Sequence, residues 1–319
     1  MKKIIILFLT LFLSTACSDT QTIQNGSIQE YHTSITTKHD NKMGVSIYFE
    51  KEQIKKPTLY FLSAATTDRK YYGHIFHYLV KQGYVVVGLS TQSFASDYIM
   101  NHFYDAIQYA RNVCKQKGIS DETRVGLVGH SSGAGVLPSL GYKVFTQDGL
   151  GSNGRFIWGA SPWIDFQYKN SMKLPKDTNF VTVLYEDDYS TDPRIYLDMY
   201  KLMDVKHKAF VMVKKGGNHQ TLFYPTPKKL VYEGVYRLID NLASYTFEGK
   251  NKKAIFSKKA IHREYVEITA ENNLPSNKMH KDMLAKFVWS RSSFGCKPTS
   301  NYAPNPREKE CFAYKNTLN

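Results

Sequence analysis

The sequence predicts an α/β fold with a mostly parallel central sheet and helices on both faces. Short runs rich in Val, Ile and Leu show no alternation, as strands buried on both faces do. These runs alternate along the chain with stretches of helical spacing. The 319 residues are 42% hydrophobic, 14% aromatic and 22% charged, which is the composition of a packed globular protein. That balance excludes disordered, collagen-like and heptad-repeat chains, and the length allows one large domain with or without a small appendage.

Residues 29–50 alternate and break at Asn41-Lys42, which predicts a hairpin. Thr58–Ser63 is a short apolar strand, Tyr71–Gln82 has helical spacing and stops at Gly83, and Tyr84–Leu89 is a buried strand. Asp97–Lys117 is an amphipathic helix that ends at Gly118, with Cys114 on its apolar stripe as a buried, inert thiol. Arg124–Gly129, Phe156–Gly159, Phe180–Tyr185 and Ala209–Lys214 repeat the strand signature. Helical stretches at Pro193–Asp204 and Lys228–Ser244 accompany them. From about Thr246 the rhythm stops, and a lysine-rich stretch leads to a cysteine pair near the end. The expected organisation is a signal segment at 1–17, a polar tether at 18–28, the α/β domain at 29–245 and a basic extension at 246–319.

Lys2 and Lys3 precede an apolar run from Ile4 to Leu13 that is too short to span a bilayer as a stable helix. The small residues Ser14-Thr15-Ala16 before Cys17 resemble a bacterial lipobox. That resemblance implies an acylated Cys17 as the mature N-terminus, and so a membrane-anchored lipoprotein of the cell envelope. A secretory signal cleaved near Ala16 is the alternative. Export to an oxidising compartment would let Cys296 and Cys311 pair, a loop closure that contributes about 3 kcal/mol in the chain-entropy model. The formal charge of +14 favours anionic partners. No zinc-finger spacing, RNP motif or phosphate-binding GxxxxGK[ST] supports nucleic acid, however, and no nucleic-acid partner is expected.

Gly129-His130-Ser131-Ser132-Gly133 matches G-x-S-x-G between a buried strand and a helix-compatible run. The chemistry requires this pattern because a sharp turn must lift the serine hydroxyl to the carboxyl edge of a sheet where strand and helix pass closely. A serine needs a base, and His219 follows the last buried strand through Gly216-Gly217. The base needs an acid to orient it. Glu186, Asp187 and Asp188 follow the preceding strand, with Asp188 placed to turn over the sheet edge and Asp187 second. Asp192 precedes Pro193 at a helix start and reads as an N-cap. The order Ser131, Asp188, His219 differs from those of chymotrypsin and subtilisin.

With these motifs the chain resembles an α/β-hydrolase over roughly residues 30–245. It is most similar to the group of bacterial cutinases, polyester hydrolases and platelet-activating-factor acetylhydrolases. Gly83-Tyr84-Val85-Val86-Val87, Gly129–Gly133, Ser161-Pro162-Trp163, Tyr185–Asp188 and Gly216–His219 carry the resemblance. It implies an oxyanion hole from the amides of Ser132 and Ala65, although the family's His-Gly-x or Pro-Gly-x loop reads Ser63-Ala64-Ala65 here. It implies that Trp163 lines the cleft, that His130 is structural and that Tyr71-Tyr72 flank the oxyanion loop. The short span between Phe156 and Phe180 implies no large lid and an open cleft. A terminal cysteine pair also occurs in that group.

The expectation is a monomeric serine esterase without cofactor or metal, acting on small-molecule or polymer esters through an acyl-enzyme. An amidase or peptidase with the same triad, and a non-catalytic anchored binding protein, remain as alternatives. His74 and His77, at i and i+3, have metal-ligand spacing without a completing acid or cysteine and read as packing residues.

Overall fold

The computed structural model describes residues 21–51, 54–92, 98–163, 173–191, 196, 200, 203–223 and 228–274. The signal segment with Cys17, the pair Cys296 and Cys311, and Asp192 lie outside the described residues, as do 164–172, where the absence of a lid was expected.

The strands in chain order are β1 (Gln21–Asn25), β2 (Ile28–Thr36), β3 (Lys42–Glu50), β4 (Lys56–Ala65), β5 (Val85–Thr91), β6 (Ser120–His130), β7 (Arg155–Ala160), β8 (Asn179–Tyr185), β9 (His207–Val213), β10 (Ile261–His262) and β11 (Val266–Ile268). They form one eleven-stranded sheet in the order β1-β2-β3-β5-β4-β6-β7-β8-β9-β11-β10.

The sheet is mixed, which corrects the mostly parallel sheet and the α/β-hydrolase fold expected from the sequence. The strands from β5 through β4, β6, β7 and β8 to β9 run parallel. β1, β2 and β3 form an antiparallel meander, β3 joins β5 antiparallel, and β9, β11 and β10 close the other side antiparallel. The sheet is therefore half antiparallel and wider than the roughly eight-stranded, mostly parallel sheet of that fold. The physical reason lies in the connections. Short turns such as the one between β2 and β3 permit only antiparallel return, whereas parallel neighbours need a crossover. β1 occupies 21–25, within the stretch expected to be a tether, and β10 and β11 lie beyond residue 245.

The unalternating runs became strands buried along their whole length, as in β8 and β9. Each separates two hydrophobic layers. On one face α2 (Ile99–Lys117) packs Phe103, Ile107, Ala110 and Cys114 against Val45, Val87 and Leu62. On the other, α1 (Gly73–Lys81) and a later helix pack against Phe61, Val86, Trp158 and Val211. That later helix follows the helical segments Lys228–Val231 and Tyr232–Tyr236 and covers Arg237–Glu248. Alternation along β4 sends Tyr60 and Leu62 to the first layer and Leu59 and Phe61 to the second. α2 ends where Gly118 takes φ 68°, the left-handed conformation that closes a helix at low steric cost. Burial pushes the Cys114 thiol up to about 12, so it is inert.

His74 and His77 turn to different partners. His74 meets Tyr236 Oη at 2.6 Å and the Leu222 carbonyl at 3.0 Å, and His77 Nε2 meets Glu30 Oε1 at 2.8 Å. Among the described residues no cluster of three metal-ligating side chains occurs, and no helix is long and apolar enough to cross a membrane.

Phe103 is fully buried between α2 and the sheet. Phe103→Ala should lower unfolding free energy by about 3–5 kcal/mol, read from the urea midpoint. The exposed Ile54→Ala should change it by under about 0.5 kcal/mol.

Candidate active site

The strand order places the site. The chain leaves β4 toward β5 on one side and later returns to pair β6 on β4's other side. Where successive connections diverge like this, a crevice opens outside the carboxyl ends of the strands. Ala65 ends β4 at this crevice, and Ser131 immediately follows β6. β7, β8 and β9 lie next in the sheet and deliver Trp163, Asp188 and His219 at the same edge.

Ser131 sits at φ 55°, ψ −120°, a combination rarely open to a side-chain-bearing residue, and caps the short helix α3 (Ser132–Gly135). Close approaches on both sides enforce the turn. A Cβ on Gly133 would lie 2.4 Å from the Leu62 carbonyl oxygen and 2.5 Å from that of Ser63. A Cβ on Gly129 would lie 2.9 Å from the Ala134 nitrogen. The elbow thus rests directly on the end of β4. Three backbone hydrogen bonds hold Ser131. Its N–H donates to the Ala160 carbonyl at 2.9 Å, and its carbonyl accepts from Gly135 and Trp163, each at 2.9 Å.

His219 opens a tight turn (His219–Leu222) capped by Asn218, whose side chain accepts from the Gln220 N–H while Thr221 Oγ1 accepts from the Asn218 N–H. The Asp187 N–H donates to the Gly217 carbonyl at 2.7 Å, which ties the acid loop to the histidine loop. Of the acids after β8, Asp188 is the one that meets His219, with Oδ2 3.0 Å from Nδ1. Asp188 is buried, and it also accepts from the Ser190 N–H at 2.8 Å and the Thr191 hydroxyl at 2.9 Å. Burial alone would raise this carboxyl. The hydrogen bond and charge of His219, aided by Ser190, outweigh burial and hold it down to about 2. An ionised Asp188 can only accept, so His219 donates through Nδ1–H and, when neutral, keeps its Nε2 lone pair for a proton.

The amides expected to hold an oxyanion belong to Ser132 and Ala65. Ser132 is the first residue of α3, where no intrahelical acceptor exists for its N–H. Ala65 begins a turn in which the Thr67 N–H donates to the Ala64 carbonyl at 3.3 Å and the Thr67 hydroxyl donates to the Ala65 carbonyl at 3.1 Å. The loop has no glycine, and Thr66 takes the left-handed conformation instead at φ 55°. Such strain costs about 1–3 kcal/mol for a β-branched residue. Trp163 is half-buried, beside the Ser131 backbone.

Ser131, Asp188, His219 and the amides of Ser132 and Ala65 therefore come from strand ends and the segments after them at one sheet edge. His130 and His219 have ring centroids 4.8 Å apart, so the residue preceding Ser131 packs on the candidate base. Sequence reasoning missed Thr191, which the Asp188-x-Ser190-Thr191 spacing could have revealed as a turn that wraps its acid. It also missed Phe223, packed 5.2 Å from His130, for which an isolated aromatic gives no signal. Compared with known proteins, the sequence matches no family model and no curated relative.

Two substitutions test this geometry by equilibrium unfolding. Thr66→Gly should raise stability by about 0.5–1 kcal/mol by removing the left-handed strain. Gly133→Ala should lower it by about 2 kcal/mol or more, because its Cβ meets backbone that cannot step aside.

Proposed function

We propose that this protein is a serine hydrolase that cleaves carboxylic esters through an acyl-enzyme. The observation that carries the reading is the Asp188–His219 hydrogen bond of 3.0 Å, at the same sheet edge as a serine held at φ 55° on a strand-to-helix elbow. Structural ion pairs are common, but a strained serine at the same sheet edge as a carboxylate-oriented imidazole has a chemical use.

In the first half-reaction His219 Nε2 takes the proton of Ser131 as Oγ attacks the ester carbonyl. The carbonyl electron pair moves to oxygen, where the Ser132 and Ala65 amides donate hydrogen bonds to it. Asp188 stabilises the imidazolium that forms, because it is ionised and buried. Collapse of the tetrahedral species breaks the bond to the alcohol, which leaves with the proton from His219. Water, deprotonated by His219, then attacks the acyl-serine, and collapse returns the proton to Ser131 and releases the acid. The mixed edges of the sheet have no part in this sequence of steps, which uses only the parallel block.

A p-nitrophenyl ester panel tests the reading. Ser131→Ala and His219→Ala should each lose about 10³-fold or more in kcat. Asp188→Asn should lose far more than Asp187→Asn, since the Asp188 carboxylate meets the imidazole Nδ1. Undiminished turnover by Ser131→Ala would refute the proposal. Matched anilides turned over as fast as the esters would move the assignment to an amidase.

We also propose that an acylated Cys17 holds the enzyme on a membrane, with its multiple acyl chains giving durable attachment. Full-length protein expressed in a bacterial host should partition with the membrane fraction, and Cys17→Ser should shift it to the soluble fraction. Retention of the variant in membranes would disprove lipid anchoring through this residue.

A further inference from the structure

Tyr72 is fully buried yet carries a hydroxyl, and that hydroxyl joins the carboxyl ends of the neighbouring strands β4 and β6. Its Oη lies 3.0 Å from the Ala64 nitrogen and 2.9 Å from His130 Nδ1. A backbone N–H can only donate, so Oη accepts from Ala64 and keeps a second lone pair and its own proton for the bond to Nδ1. His130 is itself fully buried. Burial first, and then the neighbouring His219, hold its imidazole well below its ordinary value and keep it neutral.

Ala64 precedes the amide of Ala65. With its N–H on Tyr72, and its carbonyl accepting from the Thr67 N–H at 3.3 Å and the Ser63 hydroxyl at 3.1 Å, both sides of Ala64 are fixed. The peptide that presents the Ala65 N–H is thereby oriented without the glycine that such a loop would otherwise use. At the other end of the relay, the His130 ring lies 4.8 Å from that of His219. Phe223, from the end of the His219 turn, packs on Tyr72 at 5.4 Å and on Tyr71 at 5.5 Å. A phenylalanine at position 72 would fill the same space and make the same ring contacts, so packing alone does not account for the hydroxyl.

We propose that Tyr72 is a positioning residue, whose hydroxyl, hydrogen-bonded to the Ala64 amide and to His130, sets the oxyanion donor Ala65 and the base His219 at a fixed separation across Ser131. The inference rests on the serine-hydrolase reading. It adds a requirement that the triad does not contain: the relay acts on the transition state, through donor placement, and not on substrate binding.

The test uses the whole chain with p-nitrophenyl acetate and butyrate, alongside the rate at which a fluorophosphonate labels Ser131. Tyr72→Phe should lower kcat and the labelling rate together by about tenfold or more, with KM changed less than about twofold. A purely structural role would instead lower the melting temperature without this split. His130→Asn keeps a side chain that can donate or accept toward Tyr72 and should lose less than about threefold, whereas His130→Leu removes the hydrogen-bonding group and should match Tyr72→Phe. Should Tyr72→Phe not fold, the two His130 variants decide, and equal losses in them overturn the proposal. Wild-type kcat in Tyr72→Phe, with Ser131→Ala inactive, overturns the relay and leaves the esterase reading standing. An active Ser131→Ala overturns the reading itself.

Discussion

The backbone of the elbow presses on the last residues of β4, and much of the site follows from that contact. Gly133 has no room for a Cβ because the Leu62 and Ser63 carbonyls occupy the space. This approach fixes where α3 begins and so where the Ser132 amide points. It also holds the end of β4, which carries Ala64 and Ala65. Ser131 and the amides of Ser132 and Ala65 are thus set by one steric constraint before any polar interaction acts. The polar interactions then finish the placement from the other side, where Asp188 holds His219 and the two loops are tied through Asp187 and Gly217.

Two compensations accompany this arrangement. The loop after β4 lacks glycine and places Thr66 in a conformation that a β-branched residue seldom adopts. The hydrogen bonds around Ala64 hold that strained turn. Burying Asp188 works against its ionisation, and the Ser190 and Thr191 donors, with His219, offset the loss of water. In both places a locally unfavourable choice persists because its surroundings over-determine it.

Much of the parallel block was legible because a strand buried on both faces shows an unalternating apolar run. Val85-Val86-Val87 and Phe180–Leu184 are of this kind. Gly118 was legible as a helix stop because its left-handed cap is a local property. The hairpin of β2 and β3 was legible, but the direction of pairing beyond it was not. β3 is buried along most of its length, and nothing in its sequence shows that it also pairs antiparallel with β5. β1 is polar, and β10 and β11 are two and three residues long, too short for periodicity to register. The strand-end positions of Ser131 and His219 were legible from the runs that precede them. Asp188 was one of several acids in the sequence, and only coordinates bring its carboxylate to the imidazole. The Tyr72 relay joins residues 64, 72 and 130, a separation that no local pattern encodes.

The rims of the sheet carry a different consequence. Among the described residues one outer strand is a polar five-residue segment, Gln21–Asn25, and the other is the two-residue Ile261–His262. A long apolar outermost strand would offer its free amides and carbonyls to any passing chain and invite fibrous growth. Here the long, buried strands lie inside the sheet, each hydrogen-bonded on both flanks, and a foreign strand meets little at either border with which to form a ladder. The same antiparallel additions that widen the sheet thus guard its centre against self-association.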